Sequence, residues 1–377
     1  MVNKILIIAG EASGDLHASA LMQEYLNLDS TARFYGIGGD NMIKAGLMHS
    51  YHINDMAFLG FVEIIKHLPF IRKVRKLLIE LVKKEGIKNV ILVDYPGFNL
   101  NFAKAVKKLD VNIIYYISPQ IWAWGGKRIE KIKSLVNLML VLFPFEEDFY
   151  LRNNVNAVFI GHPLLDRINN YNFIDKETFY KNFNLDINKN ILLVLPGSRH
   201  QEIEKILPET LKAAKLICKK HNMQTVVACS SNINENVFSD FNLEDAKLIK
   251  GFTYELFKYS SFGIIKSGTS TLEAALFELP FIVVYKTNII TYYLGKALIK
   301  IDSIALANIV AGKKIVKELI QNDVNVNNLT EAVSKYLDDI KLQEEIKKEL
   351  KVLRNKLGST GASKKAAQLI FNTINGN

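Results

Sequence analysis

In NVILVDYPGFN (89–99), an apolar run ends on Asp94 and breaks at Pro96 and Gly97. A carboxylate at the carboxyl end of a buried strand, facing a cleft, suits a general base; its plainer use is to cap the following turn. Glu11 has a similar setting in ILIIAGEASGDLHASAL (5–21), beside Gly10, Ser13 and Gly14. Two further loops carry small residues between a strand and a helix. In LPGSR (195–199), Gly197 allows a tight turn, Ser198 could cap the helix, and the helix start favours an anion. Arg199 could clamp a phosphate through two hydrogen bonds. This is not a Walker loop, which needs Gly-Lys-Ser/Thr in a longer frame. In KSGTSTLEAALFELP (266–280), Gly268, Thr269 and Ser270 open a helix, with Glu273 on its first turns. A carboxylate there can accept hydrogen bonds from a ribose diol while loop N–H groups hold a diphosphate. Ser270 and Glu273 equally match the spacing of a capping box.

Three other stretches have alternatives of the same kind. Trp122 and Trp124 in SPQIWAWGGKR (118–128) could lie against a sugar or an acyl chain, or in the core. His162 in GHP reads as a satisfied interior histidine rather than a ligand, since no metal partner is in view. Residues 56–84 are both apolar and basic. Met56, Phe58, Phe61 and Phe70, with Lys66, Arg72, Lys73, Arg75 and Lys76, could lie on an anionic membrane surface; an ordinary packing helix is the alternative.

The elements that must position these residues alternate regularly. Apolar runs at KILIIAG, ARFYGIGG, NVILVDY, VNIIYYIS, LVNLMLVLF and NAVFIG read as strands separated by amphipathic helices. The series restarts with NKNILLVLPGSR, MQTVVACS, FGIIKSG and PFIVVYK. Strands apolar on both faces, alternating with helices, predict α/β units with parallel sheets. We expect two such units: residues 1–165, and residues 166–349, with a C-terminal helix over about 350–377 packing back on the first. Ligands of such sheets bind beyond the carboxyl ends of the strands, where all four loops fall.

Composition narrows the function classes. Hydrophobic residues make up 49% of the 377, enough for two real cores. The net charge of +10 is dispersed, and no nucleic-acid motif is present, so nucleic acid is not expected as a partner. Two cysteines, Cys218 and Cys229, lie in no close metal pattern and argue for a reducing compartment. No apolar stretch is long enough to span a bilayer. The first apolar run, followed by Glu11 and Asp15, reads poorly as a signal peptide.

Together the motifs resemble the lipid-A-disaccharide synthase family. The matching stretches are AGEASGDLHAS, GIGGDNMIKAGL, FLGFVEII, DYPGFN, SPQIWAWGGKRIEKI, LVLFPFEEDFY, FIGHPLLD, LPGSRHQEI, SGTSTLEAAL and LANIVAGKKIVKELIQ, in family order from residue 9 to 321. The resemblance implies a GT-B fold, two Rossmann-like domains facing a cleft. It implies an inverting, metal-independent and cofactor-free glycosyltransferase of lipid A assembly. The donor would be UDP-2,3-diacylglucosamine and the acceptor 2,3-diacylglucosamine 1-phosphate (lipid X), joined by a β-1,6 bond with release of UDP. Asp94 matches the family's acidic position and is the expected base, with Glu11 the second candidate. Gly197, Ser198 and Arg199 would stabilise the diphosphate. Gly268, Thr269, Ser270 and Glu273 would bind UDP, Glu273 on the ribose; Asn308, Glu318 and Gln321 match the nucleotide side. Gly10, Glu11 and Ser13 would face the acceptor or the transferred sugar. The implied location is cytoplasmic, peripheral on anionic lipids of the inner membrane's inner face, with a homodimer left open. The sequence departs from the family at Gly97, where a second acid is usual, at Gly125, where an Arg often stands, and at Ala307 and Lys313, where Pro and Arg are common. A different UDP-sugar enzyme on the same fold, an epimerase or a soluble-acceptor transferase, is the competing reading.

Overall fold

The computed structural model describes residues 2–56, 68–121, 126–243, 245–288, 292 and 302–376. The chain divides into two compact units, Met1–Asp166 with Leu357–Asn377, and Arg167–Lys356.

The first unit is built on β1 (Lys4–Ala9), β2 (Arg33–Gly38), β3 (Met48–His52), β4 (Asn89–Val93), β5 (Asn112–Tyr116), β6 (Leu138–Val141) and β7 (Ala157–Phe159). They form one sheet in the order β3-β2-β1-β4-β5-β6-β7, every pair parallel. The central strands are apolar on both faces because helices cover both: Ile5 to Ala9 are wholly buried. The chain order reverses between β1 and β4, where Ala9 pairs with Val93, and Val93 in turn pairs with Tyr116. The three strands therefore end side by side, which brings the loops after Ala9, Val93 and Tyr116 together. The helix Ala12–Leu28 packs on the returning C-terminal helix Ala362–Asn375.

The second unit repeats the plan with β8 (Asn190–Leu195), β9 (Met223–Cys229), β10 (Lys247–Lys250), β11 (Ser260–Lys266), β12 (Phe281–Tyr285) and β13 (Glu318–Ile320). Their order is β10-β9-β8-β11-β12-β13, again all parallel. Here the reversal falls between β8 and β11. LPGSR follows β8 and the Gly268 loop follows β11, so both small-residue loops flank the switch point.

Strands β3, β10 and β13 are absent from the apolar runs of the sequence. All three are sheet edges. An edge strand is covered on fewer sides, so it needs no continuous apolar run; Met48, His49 and Ser50 of β3 are exposed. Among the described residues no helix is long and apolar enough to cross a membrane.

Candidate functional site

Asp94 stands immediately beyond β4 in an unusual backbone. Its φ is +43° and that of Tyr95 is +46°, and Ile117, just past β5, has φ +67°. Side chains pay for this left-handed region, most of all a β-branched one, and such strain persists only where surrounding contacts impose it. The contacts are explicit. The Asp94 carbonyl accepts from Tyr115 Oη at 2.6 Å and from Asn99 Nδ2 at 2.8 Å, and Asn99 Nδ2 also reaches the Val93 carbonyl at 3.2 Å. The Asp94 N–H donates to the Tyr116 carbonyl at 3.1 Å. Gly10 is required opposite: a Cβ there would meet the Tyr95 ring at 2.3 Å. Burial pushes the Asp94 carboxyl up from 3.8 to about 6, and the charge of Glu11 adds to the rise. Glu11 itself is exposed, as is Ser13, at the start of the first helix. Gly97 faces open space, so the usual second acid is missing without anything packed in its place.

Asp15, from the same motif as Glu11, does something different. It is 2% exposed, and its carboxylate accepts the N–H groups of Gly39, Asn41 and Met42 and the amide of Asn41. It is a buried brace between the first turn of the helix Ala12–Leu28 and the N-terminus of the helix Asp40–Lys44.

The second unit holds a cavity of about 490 Å³ at its switch point. Gly197, Ser198, Arg199, Gly268, Thr269, Ser270 and Glu273 all line it. Gly197 has φ +131°, and a Cβ there would lie 2.5 Å from Glu202 Oε2, so the tight turn and the close approach both demand glycine. Ser198 does not cap the helix His200–His221 with its side chain; Arg199 is the N-cap residue. Nor do Ser270 and Glu273 form a capping box, since Gly268 is the N-cap of Thr269–Leu276 with no side-chain bond. Glu273 instead meets Tyr254 Oη at 3.5 Å, and burial raises its pKa. Spacing alone leaves both capping roles open; the first helix begins one residue beyond the register Ser198 needs, and the second begins two residues before the register Ser270 needs.

Arg167, Tyr171, Glu202, Tyr254 and Lys266 also line the cavity, and motif reading did not single them out. Arg167 sits 5.3 Å over the Tyr254 ring. Its only sequence signal was its position directly after FIGHPLLD; that of Lys266 was its place before Ser267-Gly268. A cavity with two strand-to-helix loops, three cations and two carboxylates, Glu202 and Glu273, suits a phosphorylated nucleotide.

Asn308, Glu318 and Gln321 do not line this cavity, and their polar atoms are engaged locally. Asn308 is 1% exposed, accepts from Ile315 and Val316 N–H, and donates to Glu318 Oε1 at 2.8 Å. Glu318 also accepts from Ile304 and Ala305 N–H, and Gln321 clasps both backbone groups of Thr287. They hold the segments that flank 289–301. Lys313 pairs with Glu349 at 2.7 Å, and Ala307 is wholly buried.

Of the residues expected at a membrane, Phe58, Phe61 and Lys66 lie outside the described residues, as do Trp122, Trp124 and Gly125; Met56 ends the short helix Ile53–Met56. Phe70 packs against the core of its unit, its ring edge-on to Tyr51 at 5.7 Å. On the helix Leu68–Glu85, Arg72, Lys73 and Lys76 are exposed, Arg75 is half-buried and Val74, Leu78 and Val82 face inward. His162 is buried, accepts the Leu164 N–H on Nδ1 at 3.2 Å and tilts against Phe143 at 5.3 Å.

Two Rossmann-like units, the second with a nucleotide-suited cavity at its switch point, define the GT-B class of nucleotide-sugar enzymes. Solved structures carry the same fold. A UDP-GlcNAc 2-epimerase from Neisseria meningitidis, bound to UDP-GlcNAc, superposes with a TM-score of 0.65 at 15% identity, covering 99% of this chain and 100% of its own. The glycotransferase of kitacinnamycin gives a TM-score of 0.66 at 13% identity, with 99% of each chain covered. The chain belongs to the lipid-A-disaccharide synthase family: the model described as lipid-A-disaccharide synthetase matches residues 5–372. The lipid-A-disaccharide synthase of Geobacter sulfurreducens is 35% identical over 99% of this chain and 97% of its own, and that of Coxiella burnetii (strain CbuK_Q154) is 36% identical over 99% and 100%. The chain is accordingly a hexosyltransferase that forms the lipid A disaccharide.

Proposed function

We propose that the donor is UDP-2,3-diacylglucosamine, held by its UDP in the cavity of the second unit, and that the acceptor is lipid X. The 6-hydroxyl of lipid X attacks the anomeric carbon of the donor from the face opposite the diphosphate. The new carbon–oxygen bond forms as the bond to the diphosphate breaks, and UDP leaves with that electron pair. The single displacement inverts the anomeric configuration and gives a β-1,6 linkage. Asp94 takes the proton of the attacking hydroxyl. Arg199, with the N–H groups at Ser198 and Thr269, stabilises charge on the leaving diphosphate. Gly197, Gly268 and Ser270 let the backbone approach it, and Glu273 receives the ribose. Gly10, Glu11 and Ser13 form the acceptor side of the first unit. No metal or cofactor enters this scheme, because side-chain cations and loop N–H groups supply the positive charge.

The observation that carries this reading is Asp94: a buried carboxylate carried on a strained, hydrogen-bonded backbone at the first switch point, its pKa raised to about 6. A base whose pKa lies just below neutral is largely ionised at pH 7 yet still binds a proton usefully. The same reading places the protein on the inner face of the inner membrane, with Arg72, Lys73 and Lys76 on anionic lipid. Family membership over residues 5–372 weighs against the epimerase and soluble-acceptor alternatives.

The test is a mass-spectrometric assay with UDP-2,3-diacylglucosamine and lipid X in detergent and EDTA, beside Asp94→Ala. A tetra-acylated disaccharide 1-phosphate plus UDP is expected from the wild type. Turnover of the variant is expected to fall by about 10²–10⁴. Near-normal turnover by the variant removes Asp94 as the base, and loss of product with EDTA removes metal independence.

A further inference from the structure

Glu202 and Lys266 face each other inside the cavity. Lys266 is the last residue of β11, and Glu202 lies in the first turn of the helix that follows LPGSR. Their charged groups are 2.7 Å apart, with side chains only 19% and 15% exposed. The other Glu202 oxygen accepts the Ser198 N–H at 3.1 Å and lies 2.5 Å from where a Gly197 Cβ would stand. The Lys266 ammonium is 4.0 Å from the corresponding point on Gly268. The Glu202 carboxylate thus sits at the mouth of the first loop on an N–H donor, and the Lys266 ammonium at the mouth of the second.

A carboxylate held by a loop N–H and an ammonium group has the partners a phosphate group seeks. Two anions cannot share those donors in so small a space, largely shielded from solvent, without strong repulsion. We infer that Glu202 is a resident anion which a nucleoside diphosphate displaces, and that Lys266, released from the pair, becomes a diphosphate-binding cation alongside Arg199. The inference rests on the reading of this cavity as the UDP site. Until a diphosphate displaces it, Glu202 keeps Lys266 and the Ser198 N–H pointed at the phosphate position. On binding, the diphosphate takes both donors and Glu202 turns outward. The pair sets the affinity for phosphate-bearing ligands and leaves the nucleoside untouched.

Calorimetric titration of UDP and of uridine separates the two halves of the ligand. The full-length wild type, Glu202→Gln, Lys266→Met and Lys266→Arg are compared, with circular dichroism and Tm as folding controls. Glu202→Gln still offers an oxygen to Ser198 but no competing charge, so its UDP affinity is expected to rise about 3–10-fold. Lys266→Met is expected to lose about 10-fold or more, and Lys266→Arg to recover most of it. Uridine affinity is expected to be the same in all four. UDP binding by Lys266→Met at wild-type strength overturns the inference, and so does a Glu202→Gln protein that loses UDP and uridine affinity together. A folded wild type that does not bind UDP overturns the nucleotide reading of the cavity, and this inference with it.

Discussion

The Tyr115 hydroxyl donates to the Asp94 main-chain carbonyl at 2.6 Å, from a ring that is wholly buried. The bond ties the end of one strand to a residue whose own φ is +43°. A backbone held out of its preferred region relaxes when its restraint goes. Tyr115→Phe removes the hydroxyl and keeps the ring. We expect kcat to fall about 10-fold or more, since small displacements of a catalytic group are costly, with KM for both substrates little changed. A rise in KM with unaltered kcat would show that the bond serves binding instead.

Activity should follow the ionisation of Asp94. If Asp94 is the base, as proposed, it works only when deprotonated, so kcat/KM is expected to rise with pH and level off above about 6. Burial is the main cause of the raised value and the Glu11 charge the second. Glu11→Gln therefore moves the acid limb to lower pH. A pH–rate profile of both proteins decides this, and an unmoved limb separates the two carboxylates.

The same raised value has a stability consequence. Between 3.8 and about 6 the folded state binds more protons at Asp94 than the unfolded chain, so the burial penalty is absent below pH 3.8, grows through that window and is complete above it. Asp94→Asn should stabilise the protein above pH 6 by on the order of 1–2 kcal/mol after allowing for solvent screening, and not at all below pH 4. Denaturant melts at pH 4 and 7.5 measure it; equal effects at both would show that charge is not the cause.

His162 acts in the other direction. Its burial, with His17 adding to the effect, lowers its pKa from 6.5 to about 3. The unfolded chain takes up a proton below 6.5 that the folded state refuses until about 3, so stability present above 6.5 drains away as pH falls through that window. The slope approaches about 1.4 kcal/mol per pH unit for one such group. His162→Gln should flatten the decline of Tm between pH 6.5 and 4; an unchanged slope assigns acid lability to other groups.

Asp15→Ala should be among the most damaging single changes outside the two sites. It strands the N–H groups of Gly39 and Met42, both bonded to one carboxylate oxygen at 2.7 and 3.0 Å. Loss of a buried, multiply bonded carboxylate costs about 3–5 kcal/mol. Chemical denaturation reads the loss directly, and a loss below about 1 kcal/mol would mean that solvent replaces the carboxylate.

The strand series, the loops at strand ends and the duplicated plan were legible in the residues themselves. Continuous apolar runs have only one good use, a strand covered on both faces, and Gly197 and Gly268 mark turns by what they lack. Local pattern also placed Asp94 at the end of its strand. It could not say which carboxylate of GEASGD is a brace, because Asp15 is distinguished from Glu11 only by the helix start at 39–42, brought against it by β2. Nor could it pair Glu202 with Lys266, 64 positions apart, or turn Phe70 inward onto Tyr51. Asn308, Glu318 and Gln321 look alike in type to ligand-binding residues, and only the surrounding backbone reveals what their polar atoms hold. Periodicity and turn chemistry act over a few residues, so the sequence determined elements and loop positions. Burial, pairing and proton affinity depend on what sheet order and helix packing bring from far along the chain, and those the tertiary structure decided.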